Sequence, residues 1–499
     1  MKRGWLTLAA AMLWAAFALA QQEVAPDDAV TSPVIAQARM ERAAASIDQG
    51  RFRDALADTD AALGYTGLSA TQEDWARYLR ARALWGVGRG ADAETEVRKH
   101  YTAKPSAYAL RSLVTILALR ERWAAAAQAI LDLPAGTFAH ANAVSVPILD
   151  AIVAALSRTE GALRGRLLAR LAGEGYVGPH GGKLDDRLRL QFVSQLLAEG
   201  KTEDAAKQTR FLETPSVFVA LLTDRAYEKL WTAPDVAALT PQEMQLRVRA
   251  RAAALINRGV RHGAEALEAV RALRASGEPL RAAATAERSV EQILSRPEGR
   301  RYARIILIER AYALADLGQA GAAAAAFDAI LGQYPDDPIS SRLAYARVME
   351  AAGRPAKALT VLEPLDPEGL TPAARAVALQ ITACAQQALG QPKAVAEARQ
   401  ELAELGLNAA PAALEAALCA GDDEGAKALV LNWLGRADLR RGAVAALQLY
   451  AEPQTVLSVL FERRRRLQAL IARQDVQAAI APHGRTIGWS FQRATAVSY

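Results

Sequence analysis

Five histidines, His100, His140, His180, His262 and His483, are the residues of this chain best suited to acid–base or metal chemistry. None has a second His or Cys at ligand spacing, and no H-E-x-x-H occurs, so each reads as a surface or packing histidine. The run GEGYVGPHGGK, residues 173–183, ends on a Gly-Gly-Lys that invites a phosphate-loop reading. The first glycine of G-x-x-x-x-G-K would fall on Val177, and Leu184 stands where Ser or Thr should follow the lysine. The run therefore predicts an exposed connector. No G-x-S-x-G and no S-x-x-K is present. Asp185-Asp186 and Asp422-Asp423 stand where helices should start, and negative charge is favourable there in any case. Asp336-Asp337-Pro338 reads as an acidic turn. No catalytic residue, cofactor or metal site is expected.

Arginine remains. Arg463, Arg464, Arg465 and Arg466 follow Phe461 in one apolar–basic segment, with Arg436, Arg440 and Arg441 shortly before. Four consecutive arginines point all round a helix, so some are solvated and some lay their stems along apolar surface. They are the candidates for contact with anionic polysaccharide or lipid headgroups.

The elements that must position these residues are helices. Alanine fills more than a fifth of the chain, aromatics are 6%, and strand-type Val/Ile/Thr runs are scarce. Alanine with Leu, Arg, Glu and Gln favours helix through low side-chain entropy cost. Net charge is +6 on 499 residues with both signs interspersed, which is weak ground for a nucleic-acid partner.

One ruler organises the chain. Glycines at 50, 88, 200, 259, 318, 353, 390 and 421 read as turns between two helices of a pair. Five residues after them stand Ala55, Ala93, Ala205, Ala264, Ala323, Ala358, Val395 and Ala426. Seven before stand Ala43, Ala81, Val193, Ala252, Ala311, Ala346, Ala383 and Leu414. Antiparallel helices at short axial distance need small residues where they come nearest, and glycine supplies the left-handed stop. Arg111 to Leu131, with Trp123, predicts one more degenerate pair, and Ser216 to Trp231 a short apolar helix between prolines.

The pattern resembles the tetratricopeptide repeat, most clearly in Ala311, Gly318, Ala323, Phe327 and Pro335, then in Ala346, Gly353, Ala358, Leu362 and Leu365. That resemblance implies an all-α, right-handed superhelical solenoid whose inner helices bind a peptide or helix on a concave wall. The expected organisation is a signal peptide over 1–20, repeats over 21–214, an irregular connector over 215–300, further repeats over 301–475, and a tail over 476–499.

The ends carry the address. Lys2 and Arg3, an apolar run from Trp5 to Leu19, and Ala18-Leu19-Ala20 form a secretory signal with cleavage expected before Gln21; an uncleaved anchor is the alternative. A periplasmic or exported protein is expected, with no transmembrane helix in the mature chain. Cys384 and Cys419 are too few for a disulfide framework; 35 residues apart in successive repeats, they read as buried thiols, with a bond between them the alternative in an exported protein. From Ile487 to Tyr499 bulky and small residues alternate, which predicts a strand. Such a tail, with Trp489, Phe491 and Tyr499 as its contact residues, would add to a partner's sheet edge, begin a β-barrel, or be a packed or disordered end.

Signal, repeats and alternating tail resemble the layout of outer-membrane exopolysaccharide exporters and some phage-adsorption proteins, which continue into a β-barrel. The expectation is a non-catalytic periplasmic scaffold binding protein partners of the cell envelope. A truncated exporter is the alternative. An enzyme of lytic transglycosylase type is the second, although the chain lacks a mixed α/β segment and that family's Gly-Leu-Met-Gln-type stretch.

Overall fold

The computed structural model describes residues 33–48, 50–176, 185–257, 259, 263–294, 299–335, 338–451 and 458–492. They divide into two compact units, before and after Lys183. The division falls in the glycine-rich connector, of which 177–184 lie outside the described residues.

The first unit holds α1 (Pro33–Asp48), α2 (Phe52–Leu63), α3 (Ala70–Gly86), α4 (Gly90–Ala103), α5 (Ala107–Leu119), α6 (Trp123–Leu131), α7 (Val146–Thr159) and α8 (Gly161–Gly173). Each helix packs on its pair partner and on the next pair, so contacts stay between neighbours. Local chemistry sets the starts. Ser69 and Gln72 exchange side-chain-to-backbone hydrogen bonds in a capping box ahead of α3, and Ser106 caps α5.

The second unit begins with α9 (Asp186–Ala198), α10 (Thr202–Thr209) and α11 (Pro215–Thr223). Its main array is α12 (Pro241–Asn257), α13 (Gly263–Ala275), α14 (Pro279–Ile293), α15 (Gly299–Asp316), α16 (Ala320–Gln333), α17 (Pro338–Ala351) and α18 (Pro355–Leu362). It continues through α19 (Pro372–Ala388), α20 (Pro392–Glu404), α21 (Ala410–Ala420), α22 (Asp423–Gly435) and α23 (Arg440–Ala446). Strand β1 (Leu449–Ala451), α24 (Ser458–Ile471), α25 (Gln474–Ile480) and β2 (Gly488–Gln492) complete it. Each unit by itself is an all-α array of antiparallel pairs, a solenoid of tetratricopeptide-like repeats. Among the described residues no single helix is long and apolar enough to cross a membrane.

The ruler holds in the backbone. All eight turn glycines have φ between +69° and +84°. Where Gly88 ends α3, its N–H donates to Trp85 O and the N–H of Arg89 to Leu84 O, the pair of bonds that closes a left-handed helix stop. Ala43, Ala55, Ala81, Ala93, Val193, Ala205, Ala252, Ala311, Ala323, Ala346, Ala358, Ala383 and Ala426 are all fully buried. Ala264 departs from the pattern. It is half-buried, because α13 starts late and turns Gly263 and Ala266 inward instead. A further copy surrounds Gly277, at φ +77°, with Val270 and Ala282 fully buried at the same offsets. Helix α13 thus serves two successive pairs.

The degenerate pair over 111–131 turns on Glu121, an exposed residue at φ +56°. Its N–H and that of Arg122 make the same two bonds, to Ala118 O and Leu117 O, and Val114 and Ala126 are fully buried at the ruler's offsets. A side chain in this conformation costs about 1–2 kcal/mol relative to glycine. Glu121→Gly is therefore expected to stabilise the first unit by roughly 0.5–1 kcal/mol in urea denaturation, after the extra unfolded-state freedom of glycine is counted.

In the clearest repeat, Phe327 stacks on Tyr345 at 5.1 Å and meets Tyr312 edge-on at 6.1 Å. Arg274 is fully buried between Glu309 and Asp316, with its guanidinium 5.0 Å from the Tyr312 ring, and so ties α13 to α15. The segment expected as one helix to Trp231 stops at Thr223. There Asp224 turns extended and bridges to Gly484, and a 3-10 turn follows (Arg225–Leu230).

Candidate functional site: the first-helix faces

Residues four and seven apart on a helix share a face. Counting back ten, six and three from each turn residue gives one stripe along the first helix of every pair. In α3 that stripe is Tyr78, Arg82 and Trp85, and in α5 Tyr108 and Arg111 lie at its start. The Arg111 guanidinium sits 4.9 Å from the Tyr78 ring centre and that of Arg82 at 5.9 Å, both within cation–π range. Trp85 and Tyr108 are 38% and 45% exposed. No carboxylate among the described residues pairs with Arg82 or Arg111. The first unit thus offers aromatic rings flanked by two cations.

The same stripe in the second unit is covered by the chain itself. It carries Arg347 and Glu350 in α17, Gln380 and Cys384 in α19, and Glu415 in α21. Against these α24 inserts Arg463, which hydrogen-bonds Glu350 through one nitrogen and reaches Glu415 at 3.5 Å through another. Glu350 and Arg463 are both buried. Burial pushes the Glu350 carboxyl above its ordinary value, and the Arg463 charge pulls it partway back. Arg347 donates to Gln380, and Gln380 to the Cys384 sulfur at 3.5 Å.

Cys384 and Cys419 are joined as a disulfide, with Cα atoms 5.3 Å apart, which corrects the reading of two buried thiols. They lie six and two residues before their turn glycines, on facing sides of neighbouring first helices. The Glu350 carboxylate and the two sulfurs fall within 4.8 Å of one another. Joined to each other, the sulfurs have no thiolate to give a metal.

The arginine run is therefore not one solvated patch. Arg463 is interior, which corrects its expectation as a contact residue; its charge is consumed by two carboxylates. Arg465 pairs with Glu462 at 3.0 Å and Arg466 with Asp423 at 3.1 Å, while Arg464 is half-buried and engaged. Phe461 stays 47% exposed on the same helix.

The tail is also turned inward. β2 pairs in parallel with β1, Tyr450 opposite Trp489. Trp489 is 3% exposed within the core, which fits the packed-end alternative and corrects its candidacy as a partner contact. Gln448, itself buried, fixes it: its side-chain oxygen accepts from Ile487 N at 3.0 Å and from Trp489 Nε1 at 3.4 Å. Arg485 stacks 3.9 Å over Trp231. Phe491 lies in β2, and Tyr499 lies outside the described residues.

Among the histidines, His100 Nε2 lies 2.5 Å from Asp74 Oδ1, and the Ser106 hydroxyl donates to Asp74 Oδ2 at 2.7 Å. The carboxylate stands between serine and imidazole, so no base reaches the hydroxyl and an acyl-transfer triad is not formed. His483 lies 3.5 Å from Arg440, and His180 and His262 fall outside the described residues. Asp185 and Asp422 cap α9 and α22 as their positions implied, and Asp186 accepts from Glu213 N and Thr214 N.

No family model matches the chain, and no curated protein does. Among solved structures it is similar to the APC/C hetero-tetramer Cut9-Hcn1, at 11% identity over 88% of this chain and 94% of that one, with a TM-score of 0.28. It is also similar to Naa15/Naa10 bound to HypK-THB, at 13% identity over 89% of this chain and 74% of that one, with a TM-score of 0.27. Superpositions that loose carry no argument about function, and the fold rests on the helix pairs themselves.

Proposed function

We propose that this chain is an exported, non-catalytic scaffold that binds protein partners of the bacterial cell envelope on the first-helix faces of its repeats. One observation carries the reading. The first unit leaves Trp85 and Tyr108 exposed beside Arg82 and Arg111, with Tyr78 half-buried beneath the two guanidiniums, while the second unit already seats a helix on the equivalent face. Exposed aromatic anchors beside arginine are the residues that concentrate binding energy in protein interfaces. The two unpaired guanidiniums favour an acidic segment that carries an apolar anchor.

The exported address is supported by Lys2, Arg3, the apolar run and Ala18-Leu19-Ala20, and by a disulfide, which persists in oxidising compartments. A role in polysaccharide export or envelope assembly rests on the layout resemblance.

A photo-crosslinking residue placed at Trp85 or Tyr108 in cells should give a discrete product, and one at Leu280, 69% exposed in the second unit, should not. Tyr78→Ala with Tyr108→Ala should weaken the captured partner's binding at least roughly tenfold. Equal products at all three positions would remove the reading.

A further inference from the structure

A second surface of the first unit, on the second helices, is built differently. A cleft of 680 Å³ runs along α4 and the α5–α6 turn, lined by Glu94, Arg98, Lys99, Arg120 and Arg122 among others. Glu94 is 7% exposed and receives three guanidiniums at once: Arg98 at 2.9 Å, with Arg120 and Arg122 closing on its two oxygens. Burial alone would raise the Glu94 carboxyl, but the three arginines outweigh it and hold it below its ordinary value. It is therefore ionised throughout the neutral range.

The charges do not balance. One carboxylate meets three guanidiniums, and Lys99 lines the same cleft, a surplus of three positive charges around it. The neighbouring carboxylates are already engaged elsewhere: Asp92 with Arg89 at 2.7 Å, and Glu96 with Arg77 and Arg80. Glu121 lies between two of the arginines in sequence but does not line the cleft. Lys99 is exposed and has no ion-pair partner among the described residues. Guanidiniums converging on one carboxylate repel one another, and a second, doubly charged anion relieves that repulsion while using their remaining N–H donors.

We propose that this cleft binds a phosphate monoester or inorganic phosphate, with Arg98, Lys99, Arg120 and Arg122 as donors. The site is separate from the aromatic face, so it stands or falls independently of the scaffold reading. A soluble phosphate and a phosphate-bearing lipid headgroup share this chemistry.

The test is calorimetric titration of the full mature chain with inorganic phosphate at low ionic strength, alongside co-sedimentation with phosphatidylcholine vesicles containing a quarter phosphatidic acid. Lys99→Ala with Arg122→Ala, both exposed, should weaken binding at least roughly tenfold, equivalent to losing one strong charge-assisted contact. Glu94→Gln should tighten it severalfold by removing the competing carboxylate. Thermal melts identify any variant that has lost its fold. Lys201→Ala with Lys393→Ala, which lowers net charge equally in the second unit, should leave binding unchanged. Binding to phosphate alone assigns a soluble ligand, and binding to vesicles alone a lipid headgroup. Failure of both probes, or equal loss in the charge-matched control, overturns the proposal.

Discussion

Replacing Arg463 with alanine is expected to cost the second unit about 3–5 kcal/mol at neutral pH, because it leaves a buried carboxylate without its partner. Glu350 sits beneath α24 with 3% of its side chain exposed, and Arg463 is the cation that reaches it from that helix. The pH dependence fixes the cause. A carboxyl whose folded-state value is raised favours folding while protonated, and that contribution is lost as pH rises through the folded value. Without Arg463 the Glu350 value climbs further, so the penalty is full above it and shrinks as pH falls through it. Urea midpoints at pH 7.5 and pH 5 should therefore differ more between variant and wild type at the higher pH. Glu350→Gln combined with Arg463→Met, which removes both charges, should recover most of the loss. A penalty below about 1 kcal/mol, or one equal at both pH values, would show that Arg463 does not hold Glu350 ionised.

The seat of α24 also says what a first-helix face accepts. One arginine passes between carboxylates of two non-adjacent first helices, and apolar residues beside it, Leu470 and Ile471, join the core of α21 to α25. The first unit presents the complementary sign, with arginines on the scaffold rather than on the occupant. Two faces of one fold with opposite charge would, on the scaffold reading, select different occupants by the same geometry.

How much of this could be read from residues depends on the range of each interaction. A left-handed turn is a one-residue demand, so glycine marks it, and the small residues at fixed offsets follow from helix packing. Glu121 hid its turn because residue type gave no sign of the conformation. Gly277 was legible, but the glycine eighteen residues earlier drew the register onto the shared helix α13. Arg463 and Glu350 are 113 residues apart, and nothing local distinguishes an arginine that will be buried from three that will not. Period-two alternation reported a strand at Trp489 correctly, yet it cannot say whether the bulky face meets lipid, a partner or the chain's own core. The phosphate cleft draws on two segments more than twenty residues apart, so no run of basic residues announces it. The spacing of the cysteines counts for a bond rather than against it. Their separation of 35 is about one repeat, which places both on neighbouring first helices where a bond is geometrically natural.

That bond leads to the last expectation. Cys384→Ala with Cys419→Ala, or reduction by a dithiol, should destabilise the second unit by about 3–4 kcal/mol, the loop-closure contribution of a 35-residue ring. The effect should be confined to that unit, since repeats pass stability only to their neighbours. Hydrogen exchange would resolve it: amides of α19 to α22 should lose protection on reduction, while those of α1 to α6 should not change. The bond also reports on the address. Protein recovered from an exporting cell should show no free thiol after denaturation and two after reduction. Expression of the chain without residues 1–20 in a reducing compartment should give two free thiols from the outset and the less stable second unit. Two free thiols in the exported form would mean that the pair is reduced where the protein works, and the support that oxidation lends to an exported scaffold would be lost.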